Sequence, residues 1–234
     1  MDIATGIATG LAVLDRDEWV VTTDIDVVLT APIIDGPLRV DAEVVRAGAT
    51  TAVAAVTLTD EGAGERRVGG GTATTRPFAF PFDRSVLHFP IGVELRFDRD
   101  RSEVTGEPMA TRLGFRRVAP DPVLGAGVID LELVDWVRNP WGILHGGVTA
   151  CMVDVAAEAA GEAAFGGPVR CEGALVRYLA PAKVGPVRAV PHLVARQGGR
   201  ALVEVRVTDE GAGRVAALAT LTVAEVGAAT VSGR

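Results

Sequence analysis

The chain has 234 residues, 48% of them hydrophobic and 23% charged, so it can bury a core and is not expected to be disordered. Its formal net charge of −7, without a Lys/Arg run, argues against nucleic acid or an anionic membrane as the main partner. Two cysteines are too few for a disulfide framework, and neither a signal peptide nor a membrane-spanning run is recognisable. We therefore expect a cytoplasmic protein that binds neither nucleic acid nor membrane.

The first part of the chain predicts one helix followed by strands. Residues 2–14 are apolar enough for a buried helix, although their glycines weaken helical propensity. Four segments rich in Val and Thr, separated by Gly, Pro and Asp, then predict strands. These segments are residues 20–29, 38–46, 52–59 and 68–75. A connector rich in Phe, Pro, Asp and Arg follows at residues 77–106.

The second part of the chain predicts the same order of elements. Residues 108–139 hold a short helix and a strand at 127–137. Residues 147–164 are apolar, rich in alanine and free of proline, which predicts a helix buried in a core. Four further strands are predicted at residues 169–179, 187–195, 201–208 and 215–223.

An internal repeat relates the two parts. The six-residue run 59–64, Thr-Asp-Glu-Gly-Ala-Gly, recurs unchanged at 208–213, and two shorter matches at 31–32 and 36–39 recur at the same offset of 149 residues. Compositional bias explains scattered identities but not a shared run, so we expect a duplicated unit. A helix followed by an antiparallel sheet, twice over, is an α+β arrangement. The expected domains are residues 1–76, a connector at 77–106, and residues 107–234.

The chemistry is concentrated in the segment Asn139-Pro-Trp-Gly-Ile-Leu-His145-Gly146-Gly147, which precedes the second helix. A His-Gly-Gly turn at the start of a helix leaves backbone N–H groups at the positive end of the helix dipole. Such donors can stabilise the oxyanion that develops in acyl transfer. Asp154 lies about two turns into the same helix, where a buried carboxylate requires a partner or a function as a base or nucleophile.

These residues resemble those of the hotdog-fold acyl-CoA thioesterases of the phenylacetate-pathway type. The similarity consists of the His145-Gly146-Gly147 run, with Asn139 before it and Asp154 after it, and a strand that ends in Tyr178-Leu-Ala-Pro181. It implies a double hotdog, in which each repeat wraps an antiparallel sheet around a central helix. It also implies a hydrolase that splits an acyl-CoA thioester.

The resemblance places the active site between two hotdog units. One unit supplies the Asn and the oxyanion-binding Gly, and the facing unit supplies an acid and a Ser or Thr on the next strand. The role of the His is expected to be mainly structural. The residues that this pattern implies here are Asp2, Thr22, Asn139, His145, Gly146 and Gly147.

The first half departs from the family pattern. It begins inside its helix and has no His-Gly-Gly turn, so Asp154 is expected to face no oxyanion donors. The position equivalent to Thr22 in the second half is Cys171, which has no hydroxyl. We therefore expect one composite site that depends on Asp2, a residue prone to fray, and either a misassigned start or a degenerate first half.

Other candidates and alternatives remain open. Lys183, Arg196 and Arg200 are candidates for contacts to CoA phosphates, although a solvated surface explains each of them as well. CoA is expected only as part of the substrate, without a further cofactor or a metal, and pairing into a homodimer of pseudo-dimers is plausible. A non-catalytic acyl-CoA-binding protein is the main alternative. A hotdog enoyl-CoA hydratase, which would use Asp83 and His88 in the connector, is the less favoured one.

Overall fold

The computed structural model describes residues 1–79 and 107–227. In the first half, a helix is followed by four strands, and a short 3-10 turn, Leu14–Arg16, lies between helix and sheet. The elements of this half are α1 (Asp2–Leu11), β1 (Glu18–Leu29), β2 (Leu38–Ala47), β3 (Ala52–Asp60) and β4 (Arg66–Ala79).

The second half has a longer central helix and two additional short strands. A 3-10 turn, Asp135–Val137, leads into the loop before this helix. The elements are α2 (Met109–Arg112), β5 (Arg116–Arg117), β6 (Ile129–Leu131), α3 (Gly146–Phe165), β7 (Val169–Tyr178), β8 (Val187–Gln197), β9 (Arg200–Asp209) and β10 (Arg214–Glu225).

The ten strands within residues 1–79 and 107–227 form one antiparallel sheet in the order β2-β3-β4-β1-β7-β10-β9-β8-β6-β5. The two halves meet where β1 pairs with β7, from Asp24 opposite Arg177 to Val28 opposite Gly173. Outward from this joint the order is β1-β4-β3-β2 on one side and β7-β10-β9-β8 on the other, so both halves place equivalent strands in equivalent positions. The predicted hotdog fold, an antiparallel sheet around a central helix, is confirmed.

The main core lies between α3 and the second half of the sheet. The small α3 side chains Ala156 and Ala157 are fully buried, which lets the sheet approach the helix closely. Alternate β9 residues, Val203, Val205 and Val207, face this core and are at most 1% exposed. Each buried valine stabilises the fold by about 1.5 kcal/mol. The first half has a smaller cluster around Val56, Leu58 and Val68, and partly buried Met1 packs against it.

Two predicted elements are shorter in the structure. Helix α1 ends at Leu11 rather than at residue 14, and Trp19 packs against Gly10, where an added Cβ would lie 3.0 Å from the indole ring. The predicted strand at residues 127–137 is reduced to Ile129–Leu131, because the backbone then turns away from β8 into the 3-10 turn Asp135–Val137.

The repeated Thr-Asp-Glu-Gly-Ala-Gly run contains a structural anchor that was not predicted. Asp60 accepts hydrogen bonds from the backbone N–H groups of Ile34 (2.8 Å) and Asp35 (3.4 Å). Asp209, 149 residues later, accepts the same type of bond from Lys183 (2.7 Å) and Val184 (3.0 Å), at the same offset of 149 residues. The buried carboxylate thus ties the preceding loop to the end of β3 in the first half and of β9 in the second.

Hydrogen bonding lowers the pKa of both anchor carboxyls. For Asp60 the largest cause is the N–H of Ile34. For Asp209 the largest single effect is burial, which by itself raises the pKa. The hydrogen bonds from backbone N–H groups, among them those of Val184, Lys183 and Gly185, together outweigh burial and lower the pKa. Both aspartates therefore hold their loops in the charged form.

The structure describes only the first residues of the predicted connector. Strand β4 runs to Ala79, beyond the predicted boundary at residue 77, and the remainder up to residue 106 lies outside the described residues, together with Asp83 and His88. The domain limits thus stay a prediction. Among the helices within residues 1–79 and 107–227, none combines the length and apolar character needed to cross a membrane.

Candidate active site

The N-terminus of α3 is shaped by the loop before it. Asn139 Oδ1 accepts hydrogen bonds from the backbone N–H groups of Trp141 (3.0 Å) and Ile143 (3.3 Å), which closes a tight turn. His145 then caps the helix, and its Nδ1 accepts a hydrogen bond from Gly147 N–H at 3.0 Å. The described contacts thus give Asn139 and His145 a structural function in presenting the glycines.

Asp2 reaches this helix end from the other half of the chain. Its Oδ2 accepts a hydrogen bond from Gly147 N–H at 2.8 Å, across 145 residues of sequence. Its Oδ1 accepts a bond from Thr22 Oγ1 at 2.7 Å. The Asp2 side chain is only 11% exposed, and it is the first residue of α1, so its charge faces the positive ends of two helices. These bonds hold the residue that was expected to fray.

His145 completes the cluster around this carboxylate. Its Nδ1 lies 3.2 Å from Asp2 Oδ2 and accepts the Gly147 N–H at 3.0 Å. The Gly147 N–H is therefore shared between two acceptors. The structure thus brings together Asp2, Thr22, His145 and Gly147 as the resemblance implied.

Tyr178 is a member of this site that was not predicted as one. Its hydroxyl donates a hydrogen bond to the carbonyl oxygen of Gly146 at 2.8 Å. Burial raises the pKa of Tyr178 well above its ordinary value, and the nearby Asp2 and Cys151 add to this effect. The phenol is therefore a neutral hydrogen-bond donor. Tyr178 lies near the end of a predicted strand, but nothing in the sequence indicates which backbone group its hydroxyl will contact.

Asp154 lies in a different environment from Asp2. Its Oδ1 is buried and has no hydrogen-bond partner among the described residues, and burial raises its pKa, although a hydrogen bond with Cys171 partly opposes this. Glu158, one turn further along α3, accepts a hydrogen bond from the Cys171 backbone N–H at 3.1 Å. Burial and the proximity of Asp154 also raise the pKa of Glu158. This surrounding favours the neutral carboxyl over the anion that a base or nucleophile requires.

The three candidate CoA contacts are not close together. Arg196 bonds to the carbonyl oxygen of Ala164 and lies 5.4 Å above the ring of Phe165, at the C-terminal end of α3. With a rise of 1.5 Å per residue, this end is about 27 Å from Gly147. Arg200 pairs with Glu172 at 2.7 Å. Only Lys183 lies beside the loop that precedes α3, because Arg138 of that loop donates to its carbonyl oxygen at 3.0 Å.

Comparison with known proteins finds a family match within the second half. Residues 142–216 match the family model described as the thioesterase superfamily. No curated protein matches the chain.

Solved structures that resemble the chain cover about half of it. AziG of S. sahachiroi is 26% identical over 51% of this chain and 97% of its own, with a TM-score of 0.45. A variant of the phenylacetic acid degradation protein PaaI from Thermus thermophilus is 26% identical over 51% of this chain and 100% of its own, with a TM-score of 0.45. A Bacillus halodurans protein solved with CoA is 24% identical over 49% of this chain and 73% of its own, with a TM-score of 0.43.

The family match contains the α3 N-terminus, Asp154 and Tyr178, whereas Asp2 and Thr22 lie in the first half, outside it. Of the predicted motif, His145, Gly146 and Gly147 lie within the match and Asn139 lies outside it. Residues 142–216 are therefore the part of the chain that is similar to the thioesterase superfamily.

Proposed function

We propose that this protein hydrolyses an acyl-CoA thioester to a carboxylic acid and free CoA. One observation carries the proposal: the Asp2 carboxylate bonds to Gly147 N–H at 2.8 Å and to the Thr22 hydroxyl at 2.7 Å. A carboxylate, a helix N-terminal amide and a hydroxyl thus meet at one point, although they come from three elements. The thioesterase-superfamily match over residues 142–216 supports the same class of reaction.

The hydrogen bond between Asp2 and Gly147 defines how a substrate would bind. The thioester carbonyl oxygen takes over the Gly147 N–H, which frees Asp2 Oδ2 from that donor. The helix end then stabilises the negative charge that develops on the carbonyl oxygen. Asn139, which shapes the loop, assists by keeping this amide in place.

Asp2 then promotes attack on the polarised carbonyl carbon. As a general base it accepts a proton from water while the water oxygen bonds to the carbon. The C–S bond then breaks, and the CoA thiolate takes the proton back from Asp2. As a nucleophile, Asp2 would instead form a mixed anhydride and release the thiolate, and water would hydrolyse the anhydride. In either route the Thr22 hydroxyl, 2.7 Å from Asp2 Oδ1, orients the carboxylate and the water beside it.

We further propose Lys183 as the contact to a CoA phosphate on this side of the molecule. It is exposed, and its backbone is tied to the loop before α3. Arg196 lies over Phe165, and Arg200 pairs with Glu172. Both would contact CoA only if the CoA molecule extended along the length of α3. CoA enters and leaves as part of the substrate, without a further cofactor.

The test is hydrolysis of a panel of aliphatic and aromatic acyl-CoAs by wild type, Asp2→Asn and Asp154→Asn. Loss of the ultraviolet absorbance of the thioester is the appropriate readout, because the exposed Cys151 would react with thiol reagents. We expect Asp2→Asn to lower kcat about 10²- to 10⁴-fold and Asp154→Asn to retain turnover. If only Asp154→Asn lost turnover, Asp154 rather than Asp2 would be the reacting carboxylate.

A folded wild type that hydrolyses no thioester would refute the proposal. Binding of CoA by such a protein, measured by calorimetry, would then favour the non-catalytic acyl-CoA-binding alternative. The hydratase alternative depends on Asp83 and His88. It would be favoured if the protein added water to an enoyl-CoA and if substitution of either Asp83 or His88 abolished this reaction.

A further inference from the structure

We propose that Tyr178 is a positioning residue that orients and polarises the peptide bond between Gly146 and Gly147, and thereby the N–H group assigned to the oxyanion. This inference rests on the proposed thioesterase function. Tyr178 does not touch the substrate in this scheme; it acts through the peptide group.

The argument begins with the identity of the peptide group. The carbonyl of Gly146, which accepts the Tyr178 hydroxyl at 2.8 Å, and the N–H of Gly147, which bonds to Asp2 Oδ2 at 2.8 Å, belong to the same planar amide. A hydrogen bond donated to the oxygen of an amide draws electron density towards that oxygen. The N–H of the same amide then becomes a stronger donor, because hydrogen bonds in a chain polarise one another.

The peptide between Gly146 and Gly147 has few steric restraints of its own. Both residues lack a Cβ, so the backbone around this amide has more freedom than in the rest of the helix. Tyr178, by contrast, lies at the end of β7, and its ring packs against the main core. The hydroxyl therefore connects the most permissive part of α3 to a rigid strand.

The first half provides an internal comparison. The residue that corresponds to Tyr178 at the offset of 149 is Leu29, which has no hydrogen-bond donor in its side chain. The hydroxyl is thus present in the half that presents the Gly147 amide and absent at the equivalent position of the other half.

Tyr178 is the only tyrosine in the chain, which makes the inference directly testable. Growth on monofluorotyrosine or difluorotyrosine replaces this residue alone with a progressively more acidic phenol, which donates a stronger hydrogen bond. We expect kcat to rise in the order Tyr178→Phe, wild type, monofluorotyrosine, difluorotyrosine, while KM stays within about twofold. Because Phe retains the ring, we expect a loss in kcat of roughly tenfold, less than the loss of an oxyanion donor itself.

The matched control is Tyr178→Phe protein grown on the same fluorotyrosines. It contains no tyrosine, so its kinetics must not change. Thermal unfolding of each protein shows whether the fold is retained. If the wild type is active and Tyr178→Phe has the same kcat, or if the fluorinated series shows no trend, the inference is wrong although the proposed function stands.

A second readout does not depend on turnover. Labelling glycine with carbonyl ¹³C and amide ¹⁵N selects the five Gly-Gly peptide bonds of the chain, and the Gly147 signal is the one that disappears in Gly146→Ala. In Tyr178→Phe we expect the Gly147 amide proton to shift upfield, since its hydrogen bond weakens. An unchanged shift overturns the inference. A shifted amide in a protein that hydrolyses no thioester would support the positioning of this donor while refuting the thioesterase itself.

Discussion

Replacing Gly146 with alanine would separate the position of Asp2 from its chemistry. A Cβ at residue 146 would lie 2.8 Å from Asp2 Oδ2 and 3.0 Å from Oδ1. Ordinary contacts begin at 3.4 Å, so the carboxylate must withdraw by about 0.6 Å. This moves it away from the Gly147 N–H without removing any functional group.

We expect this substitution to lower activity without lowering stability. A misplacement approaching 1 Å can cost about 10²-fold in rate, so we expect kcat to fall between about 10- and 100-fold. Stability should remain equal or rise slightly, because alanine is a better helix former than glycine and the displaced group is the end of a flexible side chain. Steady-state hydrolysis and urea unfolding measure the two quantities.

Gly6→Ala is the matched control for this substitution. It makes the same change in helix α1, where a Cβ would meet nothing within 4 Å. Its kcat should equal that of the wild type. If Gly146→Ala also turned over at the wild-type rate, the position of Asp2 at the α3 N-terminus would not limit catalysis, and the assignment of Asp2 as the reacting carboxylate would fail.

Two further predictions concern buried carboxylates. Asp209→Ala leaves at least three backbone N–H groups without their acceptor. We therefore expect it to lower the free energy of unfolding, measured by urea titration, by about 3 kcal/mol. A loss below about 1 kcal/mol would mean that water replaces the carboxylate. Asp154→Asn should change how stability depends on pH. Because burial raises the pKa of Asp154 in the folded state, the wild type loses stability as the pH rises from the unfolded pKa of about 3.9 to the folded pKa. The Asn variant lacks this loss and should be the more stable protein at neutral pH; equal pH profiles would contradict the burial argument.

Most of the fold could be predicted from the internal repeat and the pattern of strand-forming segments. Valine-rich segments bounded by Gly, Pro and Asp are visible locally, and the shared run at 59–64 and 208–213 relates the halves without any structure. Element ends were less predictable. The end of α1 at Leu11 depends on where Trp19 packs against Gly10, and that contact is a property of the folded state.

The site was predictable only in part, and for a definite reason. The proximity of Asp2 and Gly147, which are 145 residues apart, followed from the family resemblance and not from any local pattern. Tyr178 and Asp209 act on backbone groups, and a sequence does not reveal the partner of a side chain that binds the main chain. The charge of Arg196 was visible, but its location at the opposite end of α3 was not.

The joint between β1 and β7 has a consequence for how the site responds to dilution. Thr22 and Tyr178 lie on these two strands, and the ladder from Asp24 opposite Arg177 to Val28 opposite Gly173 holds the strands side by side. Since both strands belong to one chain, their association is intramolecular and has an effective concentration that does not depend on how much protein is present. A site assembled from two separate subunits would disappear as they dissociate, whereas here the geometry around Asp2 is retained by a single molecule.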